Sequence, residues 1–178
     1  MSPAGIENSM AFDVAMMVPV TLAAEITEDA ADSVAWALRE NAGRAVVLEI
    51  DSQGGCARSG RRICRAIRRH GDVHAEIMGS ASSSAAMVWL AAQTRSMRHG
   101  ARVNLHYSFV PSFAVANASA AVFQEVADEL HEVDAWIRRE LIDETGMSEI
   151  EAHELLLSDR WLDRAEARRL GLWGGDVE

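Results

Sequence analysis

Short runs of β-branched and apolar residues that end in turns alternate with stretches of helical periodicity along this chain. Ala45–Ile50 is a run of the kind found in fully buried strands, and Gly54-Gly55 follows it. Thr27 is placed to cap a helix that Asn41-Ala42-Gly43 ends. The expected strands lie at about 14–22, 45–50, 73–78, 94–97 and 101–105, and the expected helices at about 28–40, 57–69 and 82–92. Repeated β-α-β units of this kind predict an α/β fold in which helices cover a mainly parallel sheet.

The second half of the chain is helical in pattern. One long amphipathic helix is expected over about 118–144, and shorter helices near 148–157 and 164–170 precede a last apolar anchor at Leu172 and Trp173. No linker or internal repeat is present, so we expect one domain over 1–178 with a short N-terminal tail of about 1–12. The apolar stripe of the long helix exceeds what a small domain covers and consists of Phe123, Val126, Leu130, Val133, Ile137 and Leu141.

Composition excludes several classes of function. The net charge of −10, from 27 acidic and 17 basic residues, opposes binding to nucleic acid or to an anionic membrane. All 17 basic residues are arginine. Without lysine, a serine–lysine dyad, a lysine Schiff base and a pyridoxal site are excluded. The arginines at helical spacing within 57–69 are expected to form a solvated or salt-bridged face rather than a phosphate site.

Cysteine and histidine patterns predict neither disulfides nor a metal. Cys56 and Cys64 are too few for a disulfide framework and match no zinc spacing, so free, reduced thiols are expected. His131 and His153 each precede a glutamate but lack a second histidine four residues on, so a zinc-protease motif is absent and no cofactor is expected. The N-terminus lacks the charged flank of a secretory signal, and no segment approaches the ~20 apolar residues of a membrane span. A cytoplasmic protein without a membrane partner is therefore expected.

Chemically active residue types follow the predicted strands. Gly54-Gly55 and His106 each come directly after a strand, and Ser83 lies in the small-residue run Gly79 to Ala86 before a helix. Because sites in parallel sheets lie outside the carboxyl ends of the strands, these residues are expected close together. A serine at a helix start can attack a carbonyl, a histidine can take its proton, and the backbone N–H groups of Gly55 and Ser84 can stabilise an oxyanion.

Each of these residues also has a simpler interpretation. A serine run before a helix is more often a cap or a loop than a nucleophile. A histidine at a strand end, such as His106, is more often a structural side chain. Only the order and the spacing of the glycine turn, the serine and the histidine along the chain favour the catalytic hypothesis.

Four segments resemble the Clp protease proteolytic subunit family, including its phage-encoded ClpP-like relatives. They are VVLEIDSQGG, GSASSSAAMVWLAA, RVNLH and SDRWLDRAEARRLGL, and the likeness covers about residues 18–173. The resemblance implies the ClpP/crotonase-like α/β fold with a long helix in its C-terminal half. It also implies a Ser-His-Asp triad of Ser83, His106 and Asp159, with Asp163 as a rival for the acid.

The same resemblance implies a serine endopeptidase that cleaves unfolded or accessible peptides through an acyl-enzyme, assembled as a homo-oligomeric ring. An AAA+ unfoldase partner stays open, because the N-terminal docking segment is short here. Gln53 replaces the proline of the family's Gly-Gly turn, Ser82 occupies an alanine position, and a segment from Tyr107 replaces a glycine-rich one. Two other functions remain as alternatives: a crotonase-type acyl-CoA enzyme and a catalytically silent scaffold subunit.

Overall fold

A computed structural model of the chain describes residues 14–110 and 119–173. The expected N-terminal tail of about 1–12 lies outside the described residues, as do Pro111, Ser112 and Phe113. A 3-10 turn at Val14–Met16 precedes the first strand. The strands are β1 Val18–Leu22, β2 Val46–Ser52, β3 Val73–Ser82, β4 Thr94–Met97, β5 Arg102–Asn104 and β6 Trp161–Leu162, and the helices are α1 Glu28–Glu40, α2 Ala57–His70, α3 Ser84–Leu90, α4 Ala120–Thr145, α5 Glu149–Ser158 and α6 Arg164–Arg169.

The six strands of the described residues form one sheet in the order β1-β2-β3-β5-β6, with β4 paired to the first half of β3. All strand pairs are parallel except the antiparallel pair of β5 and β6. The second half of β3 lies between β2 and β5, where Ser52 pairs with Ala81 and Ser82 pairs with Asn104. The carboxyl ends of these three strands therefore meet in the middle of the sheet.

The predicted α/β fold is confirmed, and most element bounds agree to within a few residues. The hydroxyl of Thr27 accepts a hydrogen bond from the N–H of Ala30 and caps α1, as the sequence indicates. The main difference concerns β3, which continues to Ser82 rather than ending near residue 78, so α3 begins at Ser84. The extension follows from the pairing of Ser80–Ser82 with β5, a long-range ladder that a run of small residues does not encode locally.

The core lies between the sheet and its helices. The α3 helix is buried along its whole length, with Trp89 fully buried, and the expected anchor of Leu172 and Trp173 is buried as well. Along α4, Ile137 and Leu141 are buried, whereas the side chain of Phe123 is 52% exposed. The N-terminal half of α4 therefore presents part of its apolar stripe to solvent.

The arginines of α2 behave as a salt-bridged face. Arg62 pairs with Asp32 of α1, and Arg68 pairs with Glu140 and Glu144 of α4. The interaction of Arg68 with Glu140 raises the pKa of that guanidinium above its usual value. Within 14–110 and 119–173, no helix is long and apolar enough to cross a membrane, and no group of three metal-ligating side chains is present.

Candidate active site

Ser83 forms the turn between β3 and α3 in a conformation that is rare for residues other than glycine. Its φ of 55° and ψ of −127° place it outside the regions that L residues favour. The turn is held by hydrogen bonds from the N–H of Ser83 to the carbonyl of Asn104 and from the N–H of Met87 to the carbonyl of Ser83. A strained strand-to-helix turn that lifts a serine hydroxyl out of the sheet is typical of a nucleophile elbow.

The hydroxyl of Ser83 does not cap α3, although Ser83 occupies the cap position. The structure therefore differs from the simpler interpretation of the serine run as a helix cap. Its neighbours are used differently: Ser82 donates to the side chain of Asn104 at 2.9 Å, and Ser84 donates to the carbonyl of Gly55 at 3.2 Å. Of the three serines, Ser83 has the half-exposed side chain, while Ser82 and Ser84 are buried.

The Gly54-Gly55 turn packs directly on this elbow. Gly54 has a φ of 90°, and a Cβ there would lie 2.6 Å from the carbonyl oxygen of Ser82 and 3.2 Å from the nitrogen of Ser84. Gly55 has a φ of 143°, and a Cβ there would lie 2.7 Å from the carbonyl oxygen of Ile26. Only glycine fits both positions. The turn thus brings Gly55 next to Ser84, whose N–H, as the first in a helix, has no partner within that helix.

His106 follows β5 and lies half-buried at the same end of the sheet. Its Nδ1 is 2.6 Å from the carbonyl oxygen of Tyr107, and its ring lies 5.3 Å from that of Phe109. Because a carbonyl only accepts hydrogen bonds, Nδ1 carries the proton in this contact. In the tautomer with one proton, on Nδ1, the Nε2 atom is the proton acceptor that a general base requires.

The segment after His106 is fastened to two helices. The N–H and the hydroxyl of Ser108 both donate to the carboxylate of Asp134 on α4, at 2.7 and 2.6 Å. The hydroxyl of Tyr107 lies 2.6 Å from Nδ1 of His153 on α5. These contacts fix the position of the Tyr107 carbonyl that holds the imidazole.

Asp159 lies in the turn between α5 and β6, with a φ of 45°. It and Ser83 are the two residues other than glycine with positive φ in the described part of the chain. Its carboxylate accepts a hydrogen bond from the amide of Asn104 at 3.2 Å. Asp163, the rival acid, is the N-cap of α6, where its side chain accepts from the N–H of Glu166 at 2.8 Å.

Two of the three predicted triad residues share one cavity. A cavity of about 900 Å³ is lined by Gly54, Gly55, Ser83, Ser84 and His106, among other residues. Its apolar lining includes Phe109 and, from α4, Leu130, Val133, Trp136 and Ile137. Asp159 is not among the lining residues, and among the described residues no hydrogen bond joins Ser83, His106 and Asp159 to one another.

Two residues of this region were not predicted from the sequence to belong to the site. Asn104 is buried between the elbow and Asp159, and Cys56 lines the cavity directly after the glycine turn. A hydrogen bond with the side chain of Ser59 lowers the pKa of the Cys56 thiol, whereas burial opposes this change. The only sequence signal for Asn104 was its place two residues before His106 on the same strand.

Comparisons with known proteins identify the family and the fold. The sequence model of the Clp protease family matches residues 8–175. The chain belongs to the Clp protease family. Among solved structures, a point mutant of ClpP1 from Listeria monocytogenes superposes with a TM-score of 0.75 at 23% identity, over 88% of each chain. No curated protein matches the chain. The predicted membership of the Clp protease family and its fold are confirmed.

Proposed function

We propose that this Clp protease family member is a serine endopeptidase with Ser83 as nucleophile, His106 as base and Asp159 as acid. One observation carries the proposal: Ser83, which lies in a strained turn and does not cap the helix with its hydroxyl, lines the same cavity as His106. A strained turn is retained only where the surrounding structure compensates for it, and such turns cluster at functional sites. Membership of a family of hydrolases supports the same function.

The proposed reaction proceeds through an acyl-enzyme. Nε2 of His106 takes the hydroxyl proton as Oγ of Ser83 attacks the scissile carbonyl, and the backbone N–H groups of Gly55 and Ser84 stabilise the oxyanion. His106 then gives the proton to the leaving amine as the peptide C–N bond breaks. A water molecule, deprotonated by the same imidazole, hydrolyses the ester and regenerates Ser83.

Asp159 enters this mechanism by holding the His106 imidazolium. In the structure, however, Nδ1 of His106 is hydrogen-bonded to the Tyr107 carbonyl and not to Asp159. The imidazole therefore has to turn from Tyr107 toward Asp159 when the triad forms. The hydrogen bond to the Tyr107 carbonyl already requires the tautomer with its proton on Nδ1, which is the tautomer that the base needs. Rotation of the ring therefore changes the hydrogen-bond partner of Nδ1 and leaves its proton in place.

The proposed substrates are unfolded or accessible peptides. The α4 residues that line the cavity offer apolar contacts to side chains beside the scissile bond. Rings of identical subunits are typical of the family, and we propose the same assembly for this chain. An AAA+ unfoldase is a further proposed partner, and family membership alone supports it.

A fluorophosphonate probe tests the proposed function. Intact-mass analysis of the wild-type chain should show one adduct, since the probe phosphonylates an activated serine. Ser83→Ala should abolish the adduct, while Ser82→Ala, one residue away and on the buried side of the elbow, should retain it. Labelling that survives Ser83→Ala would contradict the assignment.

The second candidate is a catalytically silent ring subunit. It is favoured by the absence of a hydrogen bond between His106 and Asp159 among the described residues. A silent subunit would assemble but neither react with the probe nor cleave peptides. For a crotonase-type acyl-CoA enzyme, the family match is unfavourable, and binding of a labelled acyl-CoA would be its test.

A further inference from the structure

Asn104 connects the serine elbow to Asp159 through both ends of its side chain. It is the last residue of β5, and its side chain is buried, with 3% exposure. Oδ1 accepts a hydrogen bond from the hydroxyl of Ser82 at 2.9 Å, and Nδ2 donates to Oδ1 of Asp159 at 3.2 Å. Its backbone carbonyl accepts the N–H of Ser83 at 3.1 Å. One residue therefore contacts both strained turns of the site.

We propose that Asn104 is a positioning residue that orients the carboxylate of Asp159 for His106. The proposal rests on the proposed function, because it assigns Asn104 a part in the same triad. Asp159 is an exposed residue at a helix end, where a carboxylate without a partner turns freely. The amide of Asn104 occupies one carboxylate oxygen. The other oxygen, Oδ2, is then left to accept the proton on Nδ1 of His106.

The orientation of the Asn104 amide is itself fixed. If the amide were flipped, Oδ1 of Asn104 would face the carboxylate of Asp159, and two acceptors would oppose each other. The hydroxyl of Ser82 stabilises the observed orientation by donating to Oδ1. Ser82, at a position where the family pattern has alanine, thus acts on Asp159 only through Asn104.

The pairing of β5 with β6 makes this contact possible. Asn104 is opposite Trp161 in the antiparallel register, and Asp159 lies two residues before Trp161. The same strand continues from Asn104 through Leu105 to His106, so one short segment carries both the imidazole and the group that holds its acid. Displacement of Asn104 would move the Asp159 carboxylate away from the position in which it can accept the proton on Nδ1 of His106.

The key test variant is Asn104→Asp, which keeps the shape of the side chain and an acceptor for Ser82. It replaces the donor to Asp159 by a carboxylate oxygen. Peptide hydrolysis should show kcat lowered by about tenfold or more, with KM within about twofold of wild type, because the lost contact acts on the chemical step. Ser82→Ala, which retains the contact between Asn104 and Asp159, should lower kcat by less than about threefold.

Asn104→Asp places a second carboxylate beside Asp159, and this repulsion can itself disturb the fold. A second variant therefore serves as a control. The double variant Ser82→Ala with Asn104→Leu removes both buried polar partners, a change that is often nearly neutral for stability. It should unfold at a temperature close to that of wild type and still lose kcat by about tenfold. If its kcat stays within twofold of wild type, Asn104 serves only to satisfy Ser82 and the proposal is wrong.

A double-mutant comparison shows whether Asn104 acts on the reaction through Asp159. In an Asp159→Ala background, where the carboxylate is absent, Asn104→Asp should not slow the phosphonylation of Ser83 further. An equal loss in both backgrounds would show that Asn104 acts elsewhere and would overturn the proposal. A wild-type chain without Ser83-dependent labelling would instead refute the proposed function, and the role of Asn104 with it. Labelling that is intact in every Asn104 variant refutes the role of Asn104 alone.

Discussion

Gly54 lies directly against Ser83, so that a Cβ at Gly54 would be 2.9 Å from the Cβ of Ser83. The two residues belong to different β-α turns, one after β2 and one after β3. Their contact sets the distance between the glycine turn and the elbow. The geometry of the proposed oxyanion hole therefore depends on having a residue without a Cβ at Gly54.

Gly54→Ala should therefore impair the site as well as the backbone. Alanine pays a cost of about 1–2 kcal/mol for positive φ and must also push the elbow away. We expect phosphonylation of Ser83 to slow by on the order of tenfold or more. Gly71→Ala is the matched control, since Gly71 has a φ of 81° but open space around it. In chemical denaturation Gly71→Ala should lose only the stability that the positive φ costs, less than Gly54→Ala loses, and it should keep its labelling rate. Equal labelling rates in the two variants would contradict this account.

Asp159→Asn tests the third member of the proposed triad. The substitution keeps an acceptor for Asn104 but cannot stabilise the His106 imidazolium, so kcat should fall by a large factor, on the order of 10⁴. Asp163→Asn is the control, because Asp163 caps α6 and asparagine is an equally good cap. Its kcat and melting temperature should stay near those of wild type. Loss of peptide hydrolysis in Asp163→Asn alone would move the acid to that position.

The two cysteines should differ sharply in reactivity. Burial raises the pKa of the Cys64 thiol to about 12, while the Cys56 thiol is exposed and its pKa is lowered by the hydrogen bond with Ser59. Because the thiolate is the reactive form, iodoacetamide at neutral pH should add once to the native chain and twice after unfolding. Cys56→Ser should abolish the native adduct, and an adduct mapped to Cys64 in the folded chain would contradict the prediction.

The exposed part of α4 should support assembly. Val122 and Phe123 are 37% and 52% exposed at its N-terminal end, where a partner subunit could cover them. Light scattering at micromolar concentration should give a mass several times the 19.4 kDa of one chain. Phe123→Glu should shift the mass toward the monomer, whereas Ile150→Glu, at an exposed apolar residue of α5, should not. A monomeric wild-type chain would refute the ring.

The amino-acid sequence by itself determined the order of the elements and the family. The β-branched runs, the Thr27 cap and the helical stripes act over a few residues, so their structural consequences are visible in the sequence. The Gly54-Gly55 turn and the serine run of the elbow were visible for the same reason.

Only the tertiary structure decided which side chains meet at the site. The contact between Asn104 and Asp159 joins residues 55 apart in sequence and depends on the pairing of β5 with β6. The carbonyl that holds His106 depends on a segment fastened to α4 and α5 by Ser108 and Tyr107. Such contacts arise from the packing of distant elements. No local pattern encodes them, because their energy is gained only once the sheet and helices are in place.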